Sequence, residues 1–520
     1  MRLYRAAYLA SLMLLAHIAM AQPGGQFQGA NALNANGLNG LGNPQNAGGP
    51  NPDGGQGGSA NADFETLIDL IVSTVSPETW AETGGGDAEI RPFPTGVWVD
   101  PEGVLQQVSF SQTPAKPSPS LAPRSEARPQ TSTDPHTPAH LRCVSLTRLE
   151  AEIERRMIAR EPLEESMLVL AGLQRVQHVF VYPDTSEIVL AGPAGDWTVD
   201  DERRLVSIDS GHAVPRLDDL LVLLRRETNR PGEPFGCAIT PRRERLAAVQ
   251  RYLNDASLEP LAPGRRARID WLEGARDELG RQDVEVFGLD PSTNAARVLV
   301  EADHHMKRVG LGDANGAPGL ASYLDRAADL PERESLSVLR WWFAMNYDGV
   351  SRSEDRSAYH LRGQAVKVLS ENELLTARGE RVHTGVSDGP TEGFARDFTA
   401  RFEELCQEHP VYGELRNLFD LALVAALIRQ EGLLPMVGWD AAFLLDSERL
   451  PLPRHRVARE VDTLATHRLL PDREILAAVS GGVWADAAEE IDTEADSSSQ
   501  DVTRPAPPQL SDGAWWWDVE

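Results

Sequence analysis

The sequence predicts an α+β fold, a mixed α/β body with a C-terminal helical hairpin, flanked by disordered segments. Three observations support this prediction. Strand-like and helix-like patterns alternate loosely between residues 141 and 300. Two apolar helical patterns follow one another on either side of Pro410. Tracts poor in apolar residues stand before, between and after these patterns, as is typical of disordered chain.

Length and charge bound the function. The chain has 520 residues, enough for two or three folded units. It carries 50 Lys and Arg against 78 Asp and Glu, a formal net charge of −28. Such an excess repels phosphate backbones and anionic lipid surfaces, so we expect no nucleic acid partner. Solubility is the simplest consequence of the charge.

The first 21 residues have the pattern of a secretory signal peptide. Arginines near the start supply the positive charge, residues 6–20 the apolar core, and Ala19-Met20-Ala21 the cleavage site. This apolar run is shorter than the roughly 20 residues that span a bilayer. The best later stretch, residues 418–428, is shorter still. We therefore expect an exported protein, periplasmic or extracellular, with no membrane span after cleavage.

Changes in composition divide the chain into seven segments. These are a signal peptide at 1–21, a low-complexity disordered tether at 22–62, a small helix–strand module at 63–106, a Pro/Ser/Thr-rich linker at 107–140, an α+β domain at 141–280, a central α+β block with the helical hairpin at 281–480, and an acidic disordered tail at 481–520. The tail ends in AWWWDVE, and we expect its tryptophans to dock on the body or on a partner.

Local signals place the elements of the body in order. Helices are predicted in SLTRLEAEIERR, RLDDLLVLLRRE, RRERLAAVQRYL, ARIDWLEGARDELG and VLVEADHHMKRVGLG, a hairpin in QHVFVYPDTSEIVLAGPAGDW, and strands in FGCAIT, VEVFGL, RWWFAMNYDGV and HLRGQAVKVLSENEL. Thr240 is a candidate cap for the helix that follows, with Pro241 at its first position. Phe394, Phe398, Phe402 and Leu405 give one stripe of the hairpin, and Leu415, Leu418, Leu421, Ala422 and Ala425 the other.

The module at residues 63–105 predicts a partner. Asp63 can cap a helix that ends before Pro77, and a strand follows at Thr95 to Asp100. About forty residues are too few to bury an apolar face alone. We expect this element to dock on its own body or on an envelope protein.

Four residues of one predicted helix are the candidate metal ligands: Glu301, Asp303, His304 and His305. Imidazole and carboxylate groups bind Zn²⁺ and Fe²⁺. Glu301 and His305 are four residues apart and share a helical face, whereas Asp303 lies on another. The spacing matches no zinc motif, so ordinary surface histidines are the simpler interpretation and we expect no bound metal.

The remaining motifs leave the chemistry open. Cys143, Cys237 and Cys406 allow at most one disulfide, and a bridge between the first two is compatible with an oxidising compartment. RWWFAMNYDGV reads as a core strand with one exposed indole, or as an aromatic platform that stacks sugars. No nucleophile elbow, phosphate-binding loop or cofactor fingerprint occurs, so the catalytic residues are unknown and no cofactor is expected.

Two stretches resemble known families. The stretch LIDLIVSTVSPETWAETGGGDAEIRPFP is similar to a short motif of exported planctomycete proteins that include secretin-like outer-membrane components. Residues 141–480 resemble an uncharacterised family of secreted planctomycete proteins, through VEVFGLDPSTNAARVLVEADHHMKRVGLG, RWWFAMNYDG, LRGQAVKVLSENELL and YGELRNLFDLALVAALI. The resemblance implies export and a shared fold, and favours an envelope partner for the module at 63–105.

Two classes of function follow. The first is an exported, non-enzymatic binding or adaptor protein of the envelope, with a folded body on flexible tethers. The alternative is a secreted hydrolase, with or without the assistance of a metal, that uses carboxylates and histidines of residues 301–383, including His360 and His383. The missing motifs favour the first class.

The signal peptide gives the first testable prediction. Cleavage after Ala21 leaves Gln22 as the first residue of the mature chain. Amino-terminal sequencing of exported material checks this, and export of a chain that still begins with Met1 contradicts it.

Overall fold

A computed structural model describes residues 89–93, 96–100, 134–258, 265–328, 336–375, 380–469, 474–491, 504–507, 510–511 and 513–519. The chain divides into two compact units, residues 35–128 and the remainder. In the first unit, strands β1 (Glu89–Phe93) and β2 (Gly96–Asp100) pair antiparallel. Strand β2 confirms the strand predicted there, while the predicted helix of this module lies outside the described residues.

The second unit carries the strands β3 (Ala139–Ser145), β4 (His178–Tyr182), β5 (Glu187–Ala194), β6 (Trp197–Val199), β7 (Leu205–Ser207), β8 (Phe235–Pro241), β9 (Arg281–Phe287), β10 (Leu336–Asn346), β11 (Gly349–Arg352), β12 (Ala358–Arg362), β13 (Ala365–Leu375), β14 (Arg381–His383), β15 (Glu460–Asp462), β16 (Ala465–Leu469), β17 (Glu474–Ala485) and β18 (Trp516–Val519). Its helices are α1 (Leu146–Ala159), α2 (Glu165–Leu168), α3 (Leu217–Asn229), α4 (Arg243–Leu258), α5 (Arg265–Leu279), α6 (Asn294–Leu311), α7 (Tyr323–Ala328), α8 (Gly389–Ala400), α9 (Phe402–Glu408), α10 (Pro410–Gln430), α11 (Leu433–Val437) and α12 (Ala442–Leu445). The mixed α+β class is confirmed.

Local sequence explains where the main helices start and stop. The Ser145 hydroxyl accepts a hydrogen bond from the backbone of α1, and the Thr293 hydroxyl does the same for α6. Gly312 ends α6 with a φ of 80°, a conformation that glycine adopts without strain. The predicted cap at Thr240 is wrong. Pro241 is the last residue of β8, and α4 begins at Arg243.

The larger sheet has eight strands in the order β14-β13-β10-β17-β8-β9-β15, with β16 also paired to β17. Strands β10 and β17 are parallel, and the other pairs are antiparallel. Because β8 pairs with β9, hydrogen bonds cross the predicted domain boundary between residues 280 and 281. Residues 141–280 and 281–480 therefore belong to one compact unit.

The smaller sheet has six antiparallel strands in the order β11-β12-β4-β5-β3-β18. Its edge strand β18 comes from the end of the chain, where Trp515 and Trp517 are buried. Docking of these tryptophans on the body is thus the alternative that the structure supports. The disordered tail predicted for residues 481–520 also begins too early, because β17 continues to Ala485.

The two sheets share strands from interleaved parts of the chain. Residues 360–374 were predicted to form one strand, but the chain passes from β12 in the smaller sheet to β13 in the larger one at Gly363. Gly363 has a φ of 113°, and a Cβ there would lie 2.9 Å from the carbonyl oxygen of Asn346. Only glycine fits this crossing without strain.

One continuous apolar core joins the inner faces of both sheets through α1, α3, α6 and α10. Helix α10 is buried from Val411 to Ile428, so it packs against protein on all sides. The single apolar stripe predicted for this helix therefore covers only part of its buried surface. Asp420, in the middle of this helix, accepts hydrogen bonds from Arg175 at 2.8 Å and from the Tyr347 hydroxyl at 2.7 Å. Among the described helices, none has the length and apolarity needed to cross a membrane.

The predicted C-terminal helical hairpin is not shown. Its first arm is divided into α8 and α9 at Arg401, and Pro410 occupies the first turn of α10. The aromatic stripe of this arm is confirmed as buried, with Phe394, Phe398 and Phe402 all inaccessible to solvent. Strands of both sheets follow these helices, so they are not the end of the fold.

A buried ion pair holds α6 against the larger sheet. The Nζ of Lys307 lies 2.5 Å from Oδ2 of Asp303, one turn away, and neither side chain is accessible to solvent. Burial raises the pKa of Asp303, and Lys307 together with the backbone N–H of Gly482 opposes the rise. The Lys307 stem passes over Gly481, where a Cβ would lie 3.2 Å from Cε of the lysine and 1.6 Å from the Trp341 carbonyl oxygen. Glycine at position 481 therefore makes room for the pair.

Replacing Lys307 with Met tests this ion pair. The variant leaves a buried carboxylate without its cation, so we expect a loss of about 3–5 kcal/mol in the free energy of unfolding by urea. The double variant Asp303→Leu/Lys307→Met, which removes both charges, should recover most of that loss. A single variant that loses less than about 1 kcal/mol would contradict the prediction.

Candidate functional site

The four candidate metal ligands on α6 point to different places. Asp303 faces the larger sheet and pairs with Lys307. Glu301 lies on the opposite side, where its Oε2 is 2.7 Å from both Arg204 and Arg297. His304 and His305 line a cavity of about 230 Å³ together with Glu301. The helix therefore brings three of the four to one cavity and directs Asp303 away from it.

This histidine cavity is completed by the start of α10. The His305 Nδ1 lies 2.8 Å from the Tyr412 hydroxyl, and its ring centroid lies 4.4 Å from that of His409. The Nε2 of His409 is buried and has no hydrogen-bond partner among the described residues. Burial lowers the pKa of His305 to about 4, and His409 adds to the effect. His305 is therefore neutral at pH 7.

His360 and His383 lie elsewhere. His360 stacks on His178 across β12 and β4, with ring centroids 4.5 Å apart. His383 lies beside Glu371 and Glu373 at the edge of the larger sheet, at 3.2 and 3.3 Å. The residues from 301 to 383 do not converge in one pocket. Within the part of the chain that the structure describes, no cluster of three or more His, Cys, Asp or Glu side chains is arranged to hold a metal ion.

The three cysteines are free and buried. Cys143 lies on β3 of the smaller sheet and Cys237 on β8 of the larger one, so the disulfide considered between them is not formed. Burial raises the pKa of the Cys143 and Cys406 thiols to about 12. Thiols in this state are poor nucleophiles.

A second, larger cavity of about 700 Å³ is lined by arginines, and sequence reasoning missed it. Its walls are the C-terminal part of α3, the loop 288–293 that leads into α6, and residues 447–454 before β15. Four arginines line it: Arg225, Arg226, Arg230 and Arg454. We refer to it as the arginine cavity.

Arg225 and Arg226 are fixed by the protein around them. Arg225 donates hydrogen bonds to three backbone carbonyls, of residues 444, 446 and 450, which hold the segment before β15 against α3. The Arg226 side chain is only 7% exposed; its Nε donates to the Gly288 carbonyl and its Nη1 to Glu227. Its Nη2 is buried without a hydrogen-bond partner among the described residues. Burial lowers the pKa of Arg226, which reflects the loss of solvation by its charge.

Positive charges outnumber negative ones among the residues that line the arginine cavity. Arg230 and Arg454 are exposed at the mouth. Asp290 is the carboxylate among the lining residues, and it accepts hydrogen bonds from the backbone and hydroxyl of Ser292. The lining residues include four arginines against one aspartate, and Glu227 pairs with Arg226 next to the cavity, so an excess of positive charge remains in a chain whose net charge is −28. Val222, Leu289 and Leu452 add an apolar wall.

A local signal for this site was present in the sequence. Arg225, Arg226 and Arg230 stand at the end of a predicted helix, and Asp290-Pro-Ser-Thr opens another. The sequence could not show that these two ends meet, because 58 positions separate Arg230 from Gly288.

Comparison with known proteins gives one match. Residues 237–323 match the model of a family described as "Protein of unknown function (DUF1598)". The matched segment runs from β8 into the start of α7 and includes the loop 288–293 and both histidines of α6. No curated protein matches the chain, and no solved structure matches it.

Protonation of His305 predicts how stability depends on pH. Its pKa is about 4 in the folded state and 6.5 in its ordinary state. The unfolded chain therefore binds the proton more tightly, and folding stability falls as the pH drops from about 6.5 towards 4. Between these two pH values, the free energy of unfolding should fall by about 2 kcal/mol less in His305→Gln than in the wild type, after allowance for the partial exposure of the ring. Urea unfolding at a series of pH values measures this, and an NMR titration of His305 near pH 6.5 would contradict it.

Proposed function

We propose that the chain is an exported, non-enzymatic binding protein whose ligand is an anionic small molecule held in the arginine cavity. The observation that carries the proposal is the set of four arginines that line the cavity against a single aspartate among the same residues. Like charges gathered around one cavity repel each other, and an anion bound there would offset that repulsion.

The lining suggests the chemistry of the ligand. Guanidinium groups form bidentate hydrogen bonds with carboxylate and phosphate oxygens. The excess of positive charge among the lining residues favours an anionic ligand. The apolar wall at Val222, Leu289 and Leu452 favours a hydrocarbon or ring portion. A phosphomonoester or a polycarboxylate with an apolar body combines both features.

A binding role fits this lining better than catalysis. Arginine stays protonated at physiological pH and is a poor general acid or base. Hydrogen bonds from Ser292 lower the pKa of Asp290, so this carboxylate is ionised and already engaged. The cavity thus offers charge and shape complementarity, which favours a binding protein.

Titration of the full chain with phenyl phosphate, and separately with inorganic phosphate, tests the proposal by calorimetry. Arg226→Gln and the double variant Arg230→Gln/Arg454→Gln should each weaken binding of phenyl phosphate at least tenfold, since each removes charge-assisted hydrogen bonds of about 1.5–3 kcal/mol. Added salt should weaken binding through Arg230 and Arg454 at the mouth.

Arg456→Gln is the matched control, because Arg456 is exposed, is two residues from Arg454 and does not line the cavity. It should change the affinity less than twofold. Equal affinity in all variants, or no binding of phenyl phosphate, phenyl sulfate or benzoate by a folded wild type, would reject the proposal.

Export and an envelope partner are further parts of this proposal. The signal pattern at residues 1–21 and the resemblance to secreted planctomycete proteins support export. The envelope partner at residues 63–105 rests on the amphipathic pattern there and on the similarity to the secretin-associated motif. The described part of this module is the hairpin of β1 and β2.

The histidine cavity supports the alternative of a secreted hydrolase. His305, His409 and Tyr412 are in mutual contact there, and a neutral imidazole can act as a general base. Hydrolysis of an ester substrate that is lost in His305→Gln and retained in Arg226→Gln would favour this alternative over the binding role.

A further inference from the structure

The outer face of the larger sheet carries aromatic side chains that the arginine cavity does not use. Trp342 on β10 and Trp484 on β17 lie on this face, since their strand neighbours Trp341 and Val483 point into the core. Trp484 is 50% exposed, and Trp342 is half-buried under the guanidinium group of Arg340 at 4.4 Å from its ring. RWWFAMNYDGV thus contributes one buried and one outward-facing indole.

The strand register places these rings in two neighbouring rows. One row runs across the sheet through Phe287, Gly236, Trp484, Ala344 and Lys367. The next row runs through Glu285, Ala238, Gly482, Trp342 and Leu369. Neighbouring strands lie about 4.8 Å apart and residues two positions along a strand about 6.6 Å apart, so diagonal residues are about 8 Å apart and the two indoles can contact one extended ligand.

Small residues keep the bed between the rings flat. Gly236 separates Phe287 from Trp484, and a Cβ there would lie 2.9 Å from the Phe287 ring. The two rings therefore approach each other above it, with centroids 5.5 Å apart. Helices α4 and α5 cover the same face farther along, at Ala478. Among the described residues, they leave the aromatic rows open.

The rim identifies the chemistry of the occupant. Lys367 and Glu285 stand at the two ends of the rows with opposite charges, and Arg340 is already paired with Glu371. These four charges balance one another, and they offer both donors and acceptors beside the rings. The electron-rich face of an indole attracts the positively polarised C–H groups of a pyranose ring. A neutral, hydroxyl-rich ring polymer matches the stacking surface and the balanced rim together.

We propose that this face, centred on Trp484 and Trp342, binds a neutral glycan. The site is separate from the arginine cavity and does not depend on anion binding there. It gives the exported chain a way to attach to a polysaccharide surface.

Titration calorimetry of the full chain with the hexasaccharides of β-1,4-glucose, β-1,4-N-acetylglucosamine and mannose tests the proposal, with co-sedimentation on cellulose and chitin as a second readout. At least one of these glycans should bind, and Trp484→Ala should weaken it at least tenfold. Trp484→Tyr should restore a large part of the affinity, because it returns an aromatic face. Leu374→Ala is the control, since Leu374 is 59% exposed on β13 of the same sheet but lies on the opposite face from the two rows, as the alternation from Val366 and Val368 shows.

Three outcomes would overturn the proposal: no binding of any of these glycans by folded wild type, equal binding by Trp484→Ala, or equal loss in Leu374→Ala. Sedimentation velocity adds a fourth. A wild-type dimer that Trp484→Ala converts to a monomer, without glycan binding, would assign the face to a second copy of the chain. Unchanged phenyl phosphate affinity in Trp484→Ala would show that the two sites are independent.

Discussion

The orientation of helix α6 is the constraint on which both candidate cavities depend. Its inward face carries the Asp303–Lys307 pair, buried against the glycines of β17. Charges buried in a medium of low polarity are stable only when they are paired and hydrogen-bonded. The pair therefore fixes the rotation of α6 about its own axis, because a rotated helix would move both charges out of the space where they are accommodated. The same orientation directs His304 and His305 outward to the histidine cavity. It also sets the start of α6 beside the arginine cavity.

The arginine cavity is locally positive although the chain as a whole is strongly negative. A net charge of −28 would suggest a surface that repels anions, yet four arginines meet around one cavity. Two of them are held by backbone carbonyls and by Glu227, so part of the cost of their burial is met by the fold. The Nη2 of Arg226 is left over. A local electric field of this kind acts on a ligand in the cavity, whereas the net charge of the chain affects its solubility.

The interleaving of the two sheets explains why the body is one unit. The chain leaves the larger sheet after β10, builds β11 and β12 in the smaller sheet, and returns at Gly363. Near this crossing, Tyr347 and Arg175 both donate to Asp420 of α10. A carboxylate in the middle of an apolar helix is thereby neutralised and fully hydrogen-bonded. It ties the central helix to segments that lead into each sheet.

The sequence by itself determined the elements whose signal is local. Helices with a periodic apolar face and a cap, such as α1 and α6, and the hairpin of β4 and β5, were predicted because 3.6-residue and two-residue periods are visible within a short window. Tertiary structure alone decided the rest. The split of one predicted strand at Gly363, the end strand β18 and the meeting of Arg226 with loop 288–293 depend on contacts between distant segments. Local periodicity carries no information about which distant segments pair, and so the arginine cavity and the aromatic face emerged only from the fold.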